Sequence, residues 1–272
     1  MSRRAAVLGD SIQSQFSLIG LTLRQIGPLR RGAASFQNDP TLACLLLWAL
    51  SMPDCLTLFA NESKPMTIRA VVFDFGGVLF DWSPLHLYRK LIVDEQQRQW
   101  FLENICTQAW NTEQDAGRTL AEATRSLIAQ HPEHQTLIEA YYARWHEMLR
   151  GPLPEGVAIL TALHQANMPL FGLTNWSAET FPYARKHYPF LQFFRDIVVS
   201  GQLKLIKPDP AIYQASLAQV RAHLPDIQAC EVVFIDDVAG NIDAAVALGW
   251  QGIHHVSAER TAARLRELGV AF

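Results

Sequence analysis

The chain lacks most of what would assign a function from composition alone. It has four cysteines in 272 residues (Cys44, Cys55, Cys106 and Cys230), far apart and without CxxC spacing. That argues against a disulfide framework or a clustered zinc site and suits the reduced thiols of a cytoplasmic protein. Charge is sparse: 18% of residues carry one, and the net is −3. With no Lys/Arg-rich stripe there is no electrostatic footprint for nucleic acid. A bilayer-length apolar run is also missing. "TLACLLLWALSM", residues 41–52, stops at Pro53, well short of the roughly 18–20 apolar residues that span a membrane. It also lies too far from residue 1 for an ordinary signal peptide. No internal repeat or low-complexity segment is present. Hydrophobic residues make up 49% of the chain, enough for a sizeable core in one or two domains.

Residues 1–65 differ from the rest in being Arg- and Ser-containing, poor in acids and weakly periodic. A mitochondrial-type transit peptide is one reading. The simpler expectation is a domain that begins at Met66, preceded by a misassigned start or a poorly ordered tail. From Ile68 the character changes. "IRAVVF" is apolar and β-branched without alternation, the pattern of a strand covered on both faces. Similar runs follow at 168–174, 196–200 and 231–236, and a shorter one at 251–256. Between them lie helical patterns over 154–167, 209–224 and 238–249. The second opens with Asp209 and Pro210, an N-cap followed by a first-turn proline, and the third closes on Gly249. Strand alternating with helix predicts a parallel sheet of α/β type. Residues 83–151 break the rhythm and read as helices only, which predicts a small helical domain inserted after the first strand. The core would then comprise 66–82 and 152–272.

Polar residues close three of the strands at their carboxyl ends: Asp74 after "AVVF", Thr174-Asn175 after "LFGL", and Asp236-Asp237 after "VVFI". Ligands of open parallel sheets bind outside those ends, where strand order reverses. Lys207, in "LIKPDP", precedes the next helix, with Lys204 as a nearby rival. Together these residues suit phosphoryl transfer. A carboxylate can attack phosphorus, and paired carboxylates suit Mg²⁺. A lysine and a hydroxyl can orient a phosphate. Glycines after the nucleophile, Gly76 and Gly77, let backbone N–H groups approach phosphoryl oxygens. The triplet Asp74-Phe75-Gly76 also spells a protein-kinase element, but no Gly-rich loop, VAIK-type strand or HRD-type loop precedes it.

In order, "VVFDFGGVLFD", "GLTNW", "IKPDP" and "VVFIDDVAGN" resemble the haloacid dehalogenase (HAD) superfamily over roughly 68–256. The resemblance implies a Rossmann-like sheet with an all-helical cap at 83–151. It further implies Asp74 as nucleophile, Thr174, Asn175, Lys207 and Gly77 around the phosphate, and Mg²⁺ held by Asp74, Asp236, Asp237 and the carbonyl of Gly76. The substrate would be a small phosphate ester, and the protein a monomer or homodimer with no nucleic-acid or membrane partner. Phosphatases of the family usually carry a second Asp two residues after the nucleophile, as the acid for the leaving group; here Gly76 stands there. A good leaving group, another donor, or slow turnover would each answer that loss. A metal-independent 2-haloacid dehalogenase and a non-catalytic phospho-ligand-binding domain are the alternatives. The polar stretch "WNTEQDAGR", 110–118, reads as a loop between cap helices, with Asp115 and Arg118 as candidate substrate contacts. Asn241 reads as a helix-surface or supporting residue, and His254-His255 as structural.

Overall fold

The computed structural model describes residues 67–272; the expectations for residues 1–65 lie outside them. Five strands form one parallel sheet: β1 (Ala70–Phe73), β4 (Leu170–Thr174), β5 (Asp196–Val199), β6 (Val232–Asp236) and β7 (Gln251–His254), in the order β5-β4-β1-β6-β7. The remaining two, β2 (Phe80–Trp82) and β3 (Leu149–Pro152), pair as a short antiparallel ribbon. Every residue of β1 is buried, and the two-residue period of the strand divides them between two cores. Val71 and Phe73 belong to one hydrophobic cluster, with Val233 and Ile235 of β6. Ala70 and Val72 belong to the other, with Val232 and Phe234. That double burial explains why these strands read as unbroken apolar runs.

The order of the strands creates the site. From the central β1 the chain builds outward through β4 to β5, then returns to the other side of β1 for β6 and β7. The carboxyl ends of β4, β1 and β6 therefore lie side by side, which puts Thr174, Asp74 and Asp236 at one edge.

Between β2 and β3 come five helices: α1 (Pro84–Leu91), α2 (Glu95–Asn104), α3 (Gln108–Asp115), α4 (Leu120–Gln130) and α5 (Gln135–Ala143). The first four start on side chains that accept a hydrogen bond from the opening turn, namely Ser83, Asp94, Thr107 and Thr119. Two details depart from the sequence reading. Residues 149–151 are strand, because Leu149 and Gly151 pair with Trp82 and Asp81. The polar stretch 110–118 is mostly helix α3, begun by the Thr107 cap and stopped near Gly117, whose φ is +101°. Tyr88, Phe101, Ile138 and Tyr141 of this insertion share the hydrophobic cluster of Phe73 and Phe75, so insertion and sheet pack against each other.

After the ribbon follow α6 (Pro154–Gln165), α7 (Phe181–His187), α8 (Ser200–Leu203), α9 (Pro210–His223), α10 (Ala239–Ala247) and α11 (Ala258–Glu267). Helix α6 begins against the turn after β1, where the Leu153 N–H donates to Leu79 O at 2.8 Å. Gly156 touches that turn directly: a Cβ there would fall 1.9 Å from the carbonyl oxygen of Val78. In an open helix Gly→Ala gains up to about 1 kcal/mol. Here the clash reverses the sign, and Gly156→Ala should lose roughly 1–3 kcal/mol, the range for overpacking. Urea unfolding checks this; a stabilised variant contradicts the packing.

Candidate active site

Asp74 leaves β1 with its N–H still donating to Ile235 O of β6 at 2.8 Å, which fixes the first side chain beyond the strand. Its carboxyl is buried, and burial pushes its pKa up to about 7; the Lys207 ammonium pulls it down, and Asp236 pushes it further up. Lys207 Nζ stands 2.8 Å from Asp74 Oδ1 and 2.6 Å from Asp236 Oδ2. The lysine is 3% exposed and also lies over the Phe234 ring. Burial opposes its charge, but the two carboxylates outweigh that and raise its pKa.

Each partner of Lys207 is itself held. The amide of Asn175 grips the lysine's main chain: Lys207 N–H donates to Asn175 Oδ1 at 2.9 Å, and Asn175 Nδ2 donates to Lys207 O at 3.1 Å. Asn175, which the resemblance gives to the phosphate, thus has its carbonyl and one N–H committed to positioning the lysine. Asp236 is fully buried. Its two oxygens accept four hydrogen bonds, one from Lys207, one from the Val238 N–H and two from Asn241 Nδ2. Asn241 is therefore a buried anchor five residues beyond Asp236, on the first turn of α10. The acid-rich "DDVAGN" string contains it but does not single it out.

Asp237, the next residue, is exposed and enters no ion pair among the described residues. Its carboxylate lies against Gly77, where a Cβ would fall 2.2 Å from Asp237 Oδ2 and where φ is +66°. Gly77 therefore serves by leaving space. Its N–H donates to Phe80 O at 3.1 Å and is not open to a phosphoryl oxygen. That bond belongs to a parallel bridge between Gly76 and Phe80. Such a bridge uses the neighbours' backbone groups, the Gly77 N–H and the Phe75 C=O, and leaves the amide and carbonyl of Gly76 outside it.

Oxygens of Asp74, Asp236 and Asp237 lie within 4.8 Å of one another. Three carboxylates face one ammonium, a surplus of two negative charges. The donor set is hard oxygen, which fits Mg²⁺. Asp236 accepts hydrogen bonds on both oxygens, and Asp74 Oδ1 is paired with Lys207.

A cavity of about 220 Å³ opens beside Asp74. Asp74, Gly76, Thr174, Asn175, Lys207 and Asn241 line it from the core, and Gln108, Asn111, Thr112, Asp115 and Tyr142 from the helical insertion. The hydroxyl of the buried Thr174 enters no hydrogen bond among the described residues. Arg118 does not line the cavity. Its guanidinium pairs with Glu113 at 2.5 Å and donates to Gln114 Oε1 at 2.7 Å. Lys204 is exposed, ends α8 in the left-handed region and also stands off the cavity. His254 hydrogen-bonds to the Asp237 carbonyl oxygen at 2.9 Å, and His255 to Thr261 at 2.8 Å.

A crevice with polar side chains at reversing strand ends, covered by a helical insertion, is where an open α/β sheet binds its ligand. Residues 71–254 match the profile of the haloacid dehalogenase-like hydrolases, and the chain belongs to that family. The sesquiterpene phosphatase astK of Aspergillus oryzae is 29% identical over 203 residues, covering 74% of this chain and 97% of that protein. A phosphoglycolate phosphatase of Photobacterium profundum is 26% identical over 66% of this chain and 80% of its own length. The fold matches a HAD-family enzyme of Bacteroides thetaiotaomicron solved with magnesium, with a TM-score of 0.52 at 21% identity over 68% of this chain and 92% of that one.

Removing Lys207 leaves two buried carboxylates without their counter-charge. Breaking a buried pair in this way costs roughly 3–5 kcal/mol, so Lys207→Met should lose about that much stability at neutral pH. The deficit should shrink on acidification. With the ammonium gone, burial and the Asp236 charge hold the folded Asp74 pKa above its unfolded one. The folded state then takes up a proton first, and stability returns as pH falls through that raised value. Urea titrations at several pH values test this; a loss below about 1 kcal/mol would show that Lys207 is not the counter-charge.

Proposed function

We propose that the protein is a magnesium-dependent phosphatase for a small phosphate monoester with an uncharged alcohol as leaving group. The observation that carries this reading is the charge surplus. Three carboxylates against one lysine repel any anionic substrate unless a cation is bound. A metal-independent dehalogenase would have to bring a carboxylate substrate into that same field. The phosphatase names of two relatives and the magnesium complex of the Bacteroides enzyme support the same choice.

Asp74, Asp237 and the Gly76 carbonyl would hold Mg²⁺, with Asp236 behind them; the bound ion supplies positive charge against the phosphoryl oxygens. Asp74 attacks phosphorus and becomes an aspartyl-phosphate. Lys207, fixed by Asn175 and Asp236, neutralises a phosphoryl oxygen, and the Thr174 hydroxyl donates to another. Water then hydrolyses the intermediate and returns Asp74. The helical insertion covers the crevice as a cap and limits bulk water.

The rest of the cavity defines the leaving group. Its walls include Trp82, Tyr142, Trp145, Trp176 and Val238, and Lys207 is the one basic side chain among the lining residues. Lys207 is already paired, so a second anion on the substrate finds no counter-charge. An alcohol with an apolar face finds aromatic surface instead. This agrees with the relative named as a sesquiterpene phosphatase better than with the phosphoglycolate phosphatase. The free, widely spaced Cys106 and Cys230 suit a reducing compartment such as the cytoplasm.

A panel of phosphate esters assayed with Mg²⁺ and with chelator tests the reaction. Asp74→Asn should abolish turnover while the fold persists, and chelator should do the same to the wild type; chelator-insensitive release of halide from a 2-haloacid defeats the reading. Within the panel, phosphoglycolate should show a kcat/KM at least about tenfold below that of an uncharged alkyl phosphate of similar size, a difference of about 1.4 kcal/mol. A preference for phosphoglycolate contradicts the proposed leaving group.

A further inference from the structure

Gly76 raises the question of what protonates the alcohol as it leaves. Packing does not require the glycine, since a Cβ there would meet nothing within 4 Å. The core therefore supplies no acid at that point, although it has room for one. The cavity lining offers few other proton donors. Lys207 is held between two carboxylates. The Tyr142 hydroxyl donates to Asn111 Oδ1, and burial drives its pKa far above the ordinary tyrosine range. No histidine is among the lining residues. Apart from Asp74, the one carboxyl lining the cavity among the described residues belongs to Asp115.

We infer that the Asp115 carboxyl of the helical insertion is the proton donor to the leaving-group oxygen. The inference rests on the phosphatase reading above. Asp115 is tied to the very loop that follows β4. The Ser177 N–H donates to its carboxylate, Asn111 Nδ2 donates to Oδ2 at 3.2 Å, and Ser200 Oγ donates to its main-chain oxygen at 2.6 Å. Ser177 stands three residues beyond Thr174, so the last residue of α3 is registered to the phosphate end of the cavity. Among the described residues, the groups around it hold no free cation. Arg118 is turned to Glu113. Lys204 rests its methylenes on Gly117 with an exposed side chain. Tyr141 and Tyr142 from α5 are both pushed to higher pKa by the Asp115 charge, after burial. Lys207 and Asp74 share the cavity but are paired with each other. Burial accordingly pushes Asp115 up to about 7, with the Ser177 N–H working against it, so the acid form is present at neutral pH.

The step balances as follows. An Asp74 oxygen bonds to phosphorus while the bond from phosphorus to the alcohol oxygen breaks. That oxygen keeps the electron pair and takes the proton of Asp115. In the second half, water attacks the aspartyl-phosphate at phosphorus, the Asp74 carboxylate is released, and phosphate leaves carrying the water's protons. The Asp115 carboxylate regains its proton from solvent.

The test compares butyl phosphate, whose alkoxide needs a proton, with 4-nitrophenyl phosphate, whose phenolate does not. Asparagine at 115 keeps an oxygen for the Ser177 N–H, so Asp115→Asn should fold. The variant should lose about 10²- to 10⁴-fold in kcat on butyl phosphate, the usual weight of general acid catalysis. On 4-nitrophenyl phosphate it should lose less than about tenfold, with KM little changed. Independently of any variant, the wild-type kcat profile for butyl phosphate should fall above neutral pH, and that for 4-nitrophenyl phosphate should not. Equal losses on both esters, no loss on either, or the same alkaline limb for both would overturn the inference, as would a wild type that hydrolyses the aryl ester alone. A wild type inactive on both esters with Mg²⁺ defeats the phosphatase reading itself.

Discussion

A single buried ammonium organises this site. Lys207 lies between Asp74 and Asp236 with almost no exposure. Burying three charges is unfavourable unless geometry and hydrogen bonding offset the lost hydration. The surrounding fold meets that condition piece by piece. Asn175, just after β4, holds the lysine's backbone. Asn241, on α10, and the Val238 N–H saturate Asp236. The ladder between β1 and β6 carries the Asp74 N–H. Segments after four strands converge on one ion cluster, and the strand order that places β1 between β4 and β6 lets them do so.

From that constraint follows a division of labour between two neighbouring acids. Asp236 is the last residue of its strand, buried and saturated with donors. Asp237 has left the strand, is exposed, and faces Gly77. A one-residue step turns the side chain to the other side of the sheet edge, so two identical residue types take different tasks. Asp236 keeps Lys207 charged and in place, and Asp237 turns its carboxylate toward the turn after Asp74. Gly77 is part of the same arrangement, since any side chain there would strike the Asp237 carboxylate.

Much of this was legible in the sequence, for identifiable reasons. Strands buried on both faces write unbroken apolar runs, so β1, β4, β5 and β6 stood out. A polar residue at the end of such a run marks the strand's edge, so Asp74, Thr174 and Asp236 could be picked out one by one. Hydrogen-bond roles were less legible. Nothing local says that Asn175 serves the lysine's main chain, or that the Gly77 N–H is taken by Phe80. Those partners lie across a loop or depend on turn geometry. The helix over Gln108–Asp115 was hidden for a different reason. Its buried faces include polar Asn111 and Gln114, so no apolar period announces it, and the Thr107 cap was the available signal. The ribbon of β2 and β3 is three and four residues long, too short to write a period.

The two carboxyls that line the cavity show how environment assigns chemistry to one residue type. Asp74 and Asp115 are both pushed upward first by burial. Their neighbours differ. Asp74 has an ammonium at 2.8 Å, which favours the anion that a nucleophile needs. Asp115 has neutral donors from Asn111 and Ser177, and burial outweighs the Ser177 N–H, which favours the anion. Both are pushed up to about 7, and under the proposed function a cation bound beside Asp74 would separate them, leaving one acid as nucleophile and the other as proton donor at the same pH. The two carboxyls come one from the sheet and one from its helical insertion, and they line one cavity where the insertion packs onto the loop after β4.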